Sequence, residues 1–172
     1  MGRIKKHLPV KLVIGLIFQN KSAFNRAKSI LEKEFGKIDY ESRALAFTHT
    51  GYYEAEFGRN LKRKFIGFGK LIQPQSLAKI KVATNSIEKK LSRRGLRLIN
   101  IDPGYLDMAK LILASTKDYK HRICLTKGIY AEITLFYQNR TFTPWEWAYP
   151  DYRTAAYISI FNRLREIYAR QI

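Results

Sequence analysis

The densest run of side chains able to do chemistry lies between Asn100 and Arg122. It holds Asp102, Lys110, Ser115-Thr116-Lys117-Asp118, His121 and Arg122. Cationic side chains at this density suit an anionic ligand, and a carboxylate among them suits a general base or a hard-cation ligand. Lys110, Lys117 and Arg122 are the expected anion-holding residues. Asp102, His121 and Glu132 are the expected catalytic ones, with Tyr130 and Asp151 completing the substrate-binding set. The Asp102-Pro103-Gly104 string reads as a sharp turn at a strand end, which puts the polar run in a loop after a buried strand, where sites often form.

The register of a hairpin decides what Arg122 faces. His121 to Leu125 and Ile129 to Tyr137 alternate as two strands around Lys127-Gly128. A two-residue loop would mix His121, Ile123 and Leu125 with Tyr130, Glu132 and Thr134 on one face. A three-residue loop, Thr126-Lys127-Gly128, puts His121, Ile123 and Leu125 with Ile129, Ala131 and Ile133 instead. The second register separates apolar from polar side chains better, so it is preferred. It sets Arg122 opposite Glu132, flanked by Tyr130 and Thr134, and sends His121 to the apolar side. A guanidinium held by a carboxylate can present its planar fork to an anion. The same pair could equally be an exposed cross-strand ion pair.

Nucleotide and metal motifs are absent. No G-x-x-x-x-G-K-[ST] occurs, and Gly67-Phe68-Gly69-Lys70 lies in a strand pattern with no helix start after it. Histidines at 7, 49 and 121 with one cysteine, Cys124, give no metal-ligand spacing. Phosphoesterases with paired strand histidines carry a hydroxyl residue two positions after each, where this chain has Gly51 and Ile123. Trp145-Glu146-Trp147 and Tyr149-Pro150-Asp151-Tyr152-Arg153 form an aromatic approach to the last helix, with Asp151 its expected N-cap and a ring-stacking wall the alternative.

The charge is lopsided. The chain of 172 residues carries +18, of which residues 1–95 supply +14 (21 Lys/Arg against 7 Asp/Glu) and residues 96–172 supply +4 (11 against 7). A basic half beside a nearly balanced half suggests a phosphate-bearing partner. Lys62, Arg63 and Lys64 lie near Tyr52, Tyr53 and Phe57, a mixture that suits backbone contact plus base stacking. Lys79, Lys89, Lys90 and Arg93 fall on the polar side of a predicted helix. These seven cations are the expected nucleic-acid contacts. Hydrophobic residues at 46% and charged residues at 27% are ordinary globular composition and argue against a disordered chain. The basic N-terminus and the apolar run Leu12–Phe18 resemble a short signal peptide, but Lys11 interrupts the pattern and no cleavage site follows. No stretch is long and apolar enough to span a bilayer, so a cytoplasmic protein is expected.

The elements that must position these residues follow from periodicity. Val10–Phe18 reads as a strand buried on both faces. Asn20 caps a helix over Ser22–Phe35, which Gly36 ends. Asp39–Phe47 and Arg63–Ile72 read as strands, with Gly67 and Gly69 on one face of the latter inviting a close neighbour. Pro74 opens a helix over Gln75–Arg94, and Leu96–Ile101 is a strand. That order is β-α-β-β-α-β, ferredoxin-like. Met108–Ser115 reads as a strand, with a short helix as the alternative; the hairpin and a helix after Pro150 follow.

Several strings resemble a prokaryotic family, domain of unknown function 4416. They include Thr84-Asn85 with Glu88, Asn100 to Tyr105, Leu113 to Asp118, His121-Arg122-Ile123, Gly128 to Glu132 and Tyr149 to Arg153. The resemblance covers nearly the whole chain and carries over no catalytic role. It implies that these polar strings belong together.

The expected protein is α+β, one domain over 1–172, with a ferredoxin-like unit over 1–101 and an extension over 102–172 packed on it. The expected partner is RNA or another phosphate-rich molecule. The alternative is an enzyme acting on a nucleotide or other phosphorylated small molecule.

Overall fold

Val10–Phe18 (β1) is buried at all nine positions, and the reason is a layer on each side of it. Leu12, Ile14, Leu16 and Phe18 face the helices Lys21–Phe35 (α1) and Leu77–Leu91 (α3), packing with Phe24, Leu31, Ile80 and Ile87. Val13 faces the opposite way, toward Ala155–Ala169 (α4), with Phe65, Phe161 and Leu164. Helices therefore cover both faces of the sheet, with α1 and α3 sharing one. The protein, a computed structural model describing residues 2–48 and 53–172, is a mixed α/β molecule on one large antiparallel sheet.

The other strands are Ile38–Glu41 (β2), Leu45–Ala46 (β3), Lys62–Ile72 (β4), Ile99–Leu106 (β5), Lys110–Ser115 (β6), Ile123–Thr126 (β7), Ile129–Gln138 (β8) and Thr141–Pro144 (β9). Their order in the nine-stranded sheet is β2-β4-β1-β5-β6-β8-β7, with β3 added to β4 and β9 to β8. A single turn of helix, Glu54–Phe57 (α2), lies between β3 and β4. The expected division near Ile101 falls inside β5, and the C-terminal strands continue the sheet rather than packing on it.

Local signals held where nothing tertiary opposed them. The Asn20 side chain accepts from the Ser22 N–H at 2.7 Å, and Gly36 at φ +102° ends α1. Gly67 makes room for α4: a Cβ there would stand 2.7 Å from Leu164 Cδ2.

Other local signals were overridden. Asp39–Phe47 is not one strand, because β2 and β3 pair with separate stretches of β4. Ser42 fills the break, its N–H donating to the Phe65 carbonyl at 2.9 Å and its hydroxyl accepting from the Phe65 N–H at 2.9 Å. Asp102-Pro103-Gly104 is not a turn. All three residues pair with β1, where proline's fixed φ suits an extended strand. The turn comes later, at Asp107, whose carboxylate accepts from the N–H groups of Ala109 and Lys110 at 2.7 and 2.8 Å. Asp151 is not the N-cap of α4. A 3-10 turn over Pro150–Arg153 intervenes, and Thr154 caps the helix instead.

The hairpin combines both registers considered above. Its tip is a two-residue turn, Lys127 and Gly128, at φ +55° and +68°. Thr126 pairs with Ile129, but a bulge at Leu125 shifts the ladder so that Cys124 meets Tyr130 and Ile123 meets Ala131. Beyond the bulge, Arg122 stands against Glu132 as the three-residue register requires.

One buried charge ties the layers together. Lys11 is fully buried; its ammonium donates to Asp39 Oδ2 at 2.7 Å, the Phe68 carbonyl at 3.0 Å and Gln171 Oε1 at 3.1 Å.

Candidate functional site: a cleft where two strands part

Strands β5 and β6 pair over only three positions, Gly104–Leu106 against Leu111–Leu113. The ladder begins directly after Pro103, which has no N–H to give. Before that point Asn100–Asp102 stay with β1, while Ala114 and Ser115 follow β8. The strands diverge and leave a cleft of about 600 Å3. Gly104 holds them together at the apex. A Cβ there would stand 2.4 Å from the Ile112 carbonyl oxygen.

One wall is built on Asp102. Its carboxylate accepts from the Asn100 amide at 2.6 Å and lies 3.4 Å from both Arg63 Nη1 and Lys81 Nζ. Arg63 is 3% exposed, and its Nη2 donates to the Tyr152 hydroxyl at 2.8 Å. Its Nε is buried without a hydrogen-bond partner among the described residues. Gly15 gives the guanidinium its space, since a Cβ there would lie 2.6 Å from Nη2. Burial works against the Arg63 charge, but Tyr152 and Asp102 more than offset it and the group stays protonated. Burial likewise pushes the Tyr152 hydroxyl well up.

Helix α3 adds Lys81, Asn85 and Glu88 to this wall. Glu88 accepts from the Ile101 N–H and, at 3.1 Å, from Arg97 Nη1. Burial pushes its carboxyl up. Arg97 also grips Glu56 of α2 with two parallel bonds of 2.7 Å. That grip holds the Glu56 carboxyl below its ordinary 4.5. A depressed folded-state pKa gives stability present above the unfolded value and lost as pH falls through the folded one. The melting temperature of Glu56→Gln should therefore lie below the parent's at neutral pH. The two should converge in acid, as pH falls below the ordinary 4.5 and through the lower folded value where Glu56 takes up its proton; a constant gap across a melting-temperature titration would contradict the pairing.

The opposite wall is built on Arg122, whose side chain is 2% exposed. Its Nε donates to Glu132 Oε2 at 2.7 Å and its Nη1 to Ser115 Oγ at 2.8 Å and the Lys117 carbonyl at 3.0 Å. Nη2 donates to the Tyr149 hydroxyl at 3.2 Å, and the Tyr119 ring lies 4.5 Å away. Glu132 takes two more bonds, from Thr134 at 3.0 Å and with His121 Nε2 at 3.1 Å.

Five of the expected catalytic and substrate-binding residues therefore line one cleft: Asp102, Lys117, Arg122, Glu132 and Asp151. His121 was expected to turn to the apolar side. It precedes β7, in a turn closed by the Arg122 N–H to the Tyr119 carbonyl at 2.8 Å, so strand alternation does not govern it. It reaches Glu132 from outside the cleft and stacks on Trp147 at 5.6 Å. Lys110 lies at the far end of β6 and pairs with Asp107 at 2.8 Å. Tyr130 pairs with Ser115 across β6 and β8, and its hydroxyl is raised chiefly by Asp118; it does not line the cleft.

The expected nucleic-acid set divides. Lys62, Lys79, Lys89, Lys90 and Arg93 are exposed. Arg63 points inward because β4 alternates, and Lys64 pairs with Glu41 over the Phe24 ring. Tyr53 lines the cleft and stacks on Phe57 at 5.4 Å, while Phe47 and Phe57 are buried. Tyr52, His49 and Gly51 lie outside the described residues.

Lys81 and Arg97 were not anticipated. A signal for Lys81 existed: with Thr84 and Glu88 it forms a polar inward stripe at helical spacing on α3. Among the described residues, no group of three or more His, Cys, Asp or Glu is placed to hold a metal ion.

The family model described as Domain of unknown function (DUF4416) matches residues 8–168. The chain belongs to this family. All the cleft residues named above fall within the DUF4416 span. No curated protein and no solved structure matches the chain. Among the described residues, no helix is long and apolar enough to cross a membrane.

Proposed function

We propose that the cleft binds a phosphorylated small molecule of the nucleotide class. The observation that carries this reading is that two walls from distant parts of the chain turn cations into one concavity. Arg63, Lys81 and Arg97 come from one side, Lys117 and Arg122 from the other. Tyr53, Tyr119 and Tyr149 stand among them and offer ring faces and hydroxyls. Cations suit phosphate oxygens and tyrosine rings suit a base or sugar face. In support of the expected fold, β1, β2, β4 and β5 with α1 and α3 follow the ferredoxin-like order β2-β4-β1-β5.

The enzyme reading gains a more definite assignment. Asp102 keeps 28% of its side chain exposed, against 2% for Glu132. A proton-transfer role therefore falls to Asp102, while Glu132 and His121 position Arg122.

Calorimetric titration with UMP, GMP, ribose 5-phosphate, uridine and inorganic phosphate tests the binding. A phosphorylated compound should bind and uridine should not; equal binding of uridine and UMP, or no binding at all, overturns the proposal. Arg122→Lys keeps the charge but loses the planar fork, so UMP affinity should fall about 10- to 100-fold.

A further inference from the structure

The last turns of α3 separate the cleft from a second concavity. Glu88 lines the cleft, and Leu91, one turn further, lines an open groove of about 780 Å3 shared with α1. Lys21 and Arg26 stand along this groove with Ser22, Asn25 and Ser29, over Ile30 and Leu91. No carboxylate lines it among the described residues. Lys89, Lys90 and Arg93 are exposed on and just beyond the same turn of α3. The exposed Lys62 pairs with Phe18, the strand end from which the chain passes into α1. None of these cations makes an ion pair with a described residue.

We infer that the nucleotide in the cleft belongs to a single-stranded nucleic acid, whose neighbouring phosphates run along the groove between α1 and α3. The inference rests on the cleft reading above. A free mononucleotide needs no cations beyond the cleft. A strand does, because each further nucleotide brings another phosphate. The groove supplies what such a strand presents: ammonium and guanidinium groups for phosphates, hydroxyl and amide groups for sugars, and an apolar floor for a base. The rims of the two concavities meet on α3, where Glu88 and Leu91 lie three residues apart with a rise of about 4.5 Å.

The topology also says which lysine should not matter. Lys79 is exposed on the first turn of α3, roughly 16 Å from Lys90 at 1.5 Å per residue. It carries the same charge and lies at the other end of the helix from the groove.

The test uses the full chain and fluorescein-labelled oligo(U) of roughly twelve nucleotides, within the usual single-strand site sizes. Anisotropy should show affinity falling roughly 20- to 50-fold between about 50 and 200 mM salt, as three or four neutralised phosphates require. Combining Arg26→Glu with Lys90→Glu should lower oligo(U) affinity by about tenfold or more and leave UMP binding unchanged. Lys79→Glu should change oligo(U) affinity less than about twofold. Saturating UMP should displace the oligonucleotide.

Equal losses from Lys79→Glu and the groove variant would mean a general charge effect and overturn the track. So would oligo(U) that UMP cannot displace, or a poly-glutamate peptide that competes as well as oligo(U). Intact UMP binding with no oligo(U) binding at the lower salt overturns this inference alone. Absence of UMP binding to the parent chain overturns the cleft reading and, with it, this extension.

Discussion

Replacing Glu132 by alanine is expected to cost about 3–5 kcal/mol of folding stability and to remove UMP binding. The magnitude follows from what is left behind. The Arg122 side chain is 2% exposed, and Glu132 is the carboxylate that faces it. Without that carboxylate the guanidinium keeps only hydroxyl and carbonyl partners, and with so little of the side chain exposed water compensates poorly for the lost charge. Glu132→Gln keeps the shape and the acceptor oxygen but loses the charge, so it should cost less, about 1.5–3 kcal/mol. Urea unfolding of both variants, with calorimetric titration of UMP, gives the two readings. If Glu132→Ala unfolds within about 1 kcal/mol of the parent, the pair is solvated in solution like an ordinary surface ion pair.

Gly104→Ala should be the most damaging single methyl in the sheet. The new Cβ would meet the Ile112 carbonyl oxygen at 2.4 Å and Leu113 Cδ2 at 2.7 Å. The leucine can rotate away, but the carbonyl belongs to the neighbouring strand. Relief requires β5 and β6 to separate at the one stretch where they are joined. A loss of about 2–3 kcal/mol is expected, the upper part of the range for overpacking. UMP affinity should fall as well, because the apex sets the distance between the Asp102 wall and the Arg122 wall. Gly69→Ala is the control. Its Cβ would have no neighbour closer than 3.6 Å, so denaturant midpoints should differ little from the parent. Equal midpoints for the two variants would show that the strands part without cost.

What the sequence disclosed depended on how far each signal had to travel. The helices flanking β1 were legible because their apolar stripes and the Asn20 cap are local. The Arg122–Glu132 pair was legible because a tight hairpin fixes register over a few residues, and even the bulge at Leu125 did not spoil it. Asp102-Pro103-Gly104 misled because its turn propensity is local whereas β1, 87 residues earlier by the Gly15–Asp102 pairing, decides its conformation. Lys110 misled because being near Ser115 in sequence means being a strand's length away in space. Arg63 was grouped with Lys62 and Lys64 as surface charge, although strand alternation alone separates it from them. Nothing local could bring Lys81 and Arg97 to Asp102 and Glu88. That meeting needs α3 docked beside β5.

The Lys11 ammonium has a consequence for the order of events as the protein folds. It bonds to Gln171, 160 residues away along the chain, and its strand face is covered by α4. A contact of that separation cannot form until residue 171 has been synthesised. Until the last helix docks, the central strand shows water a lysine it cannot bury and an apolar stripe it cannot hide. Without α4 that face would show an ammonium lacking its Gln171 partner and apolar surface together, the combination that makes a partly folded chain prone to associate.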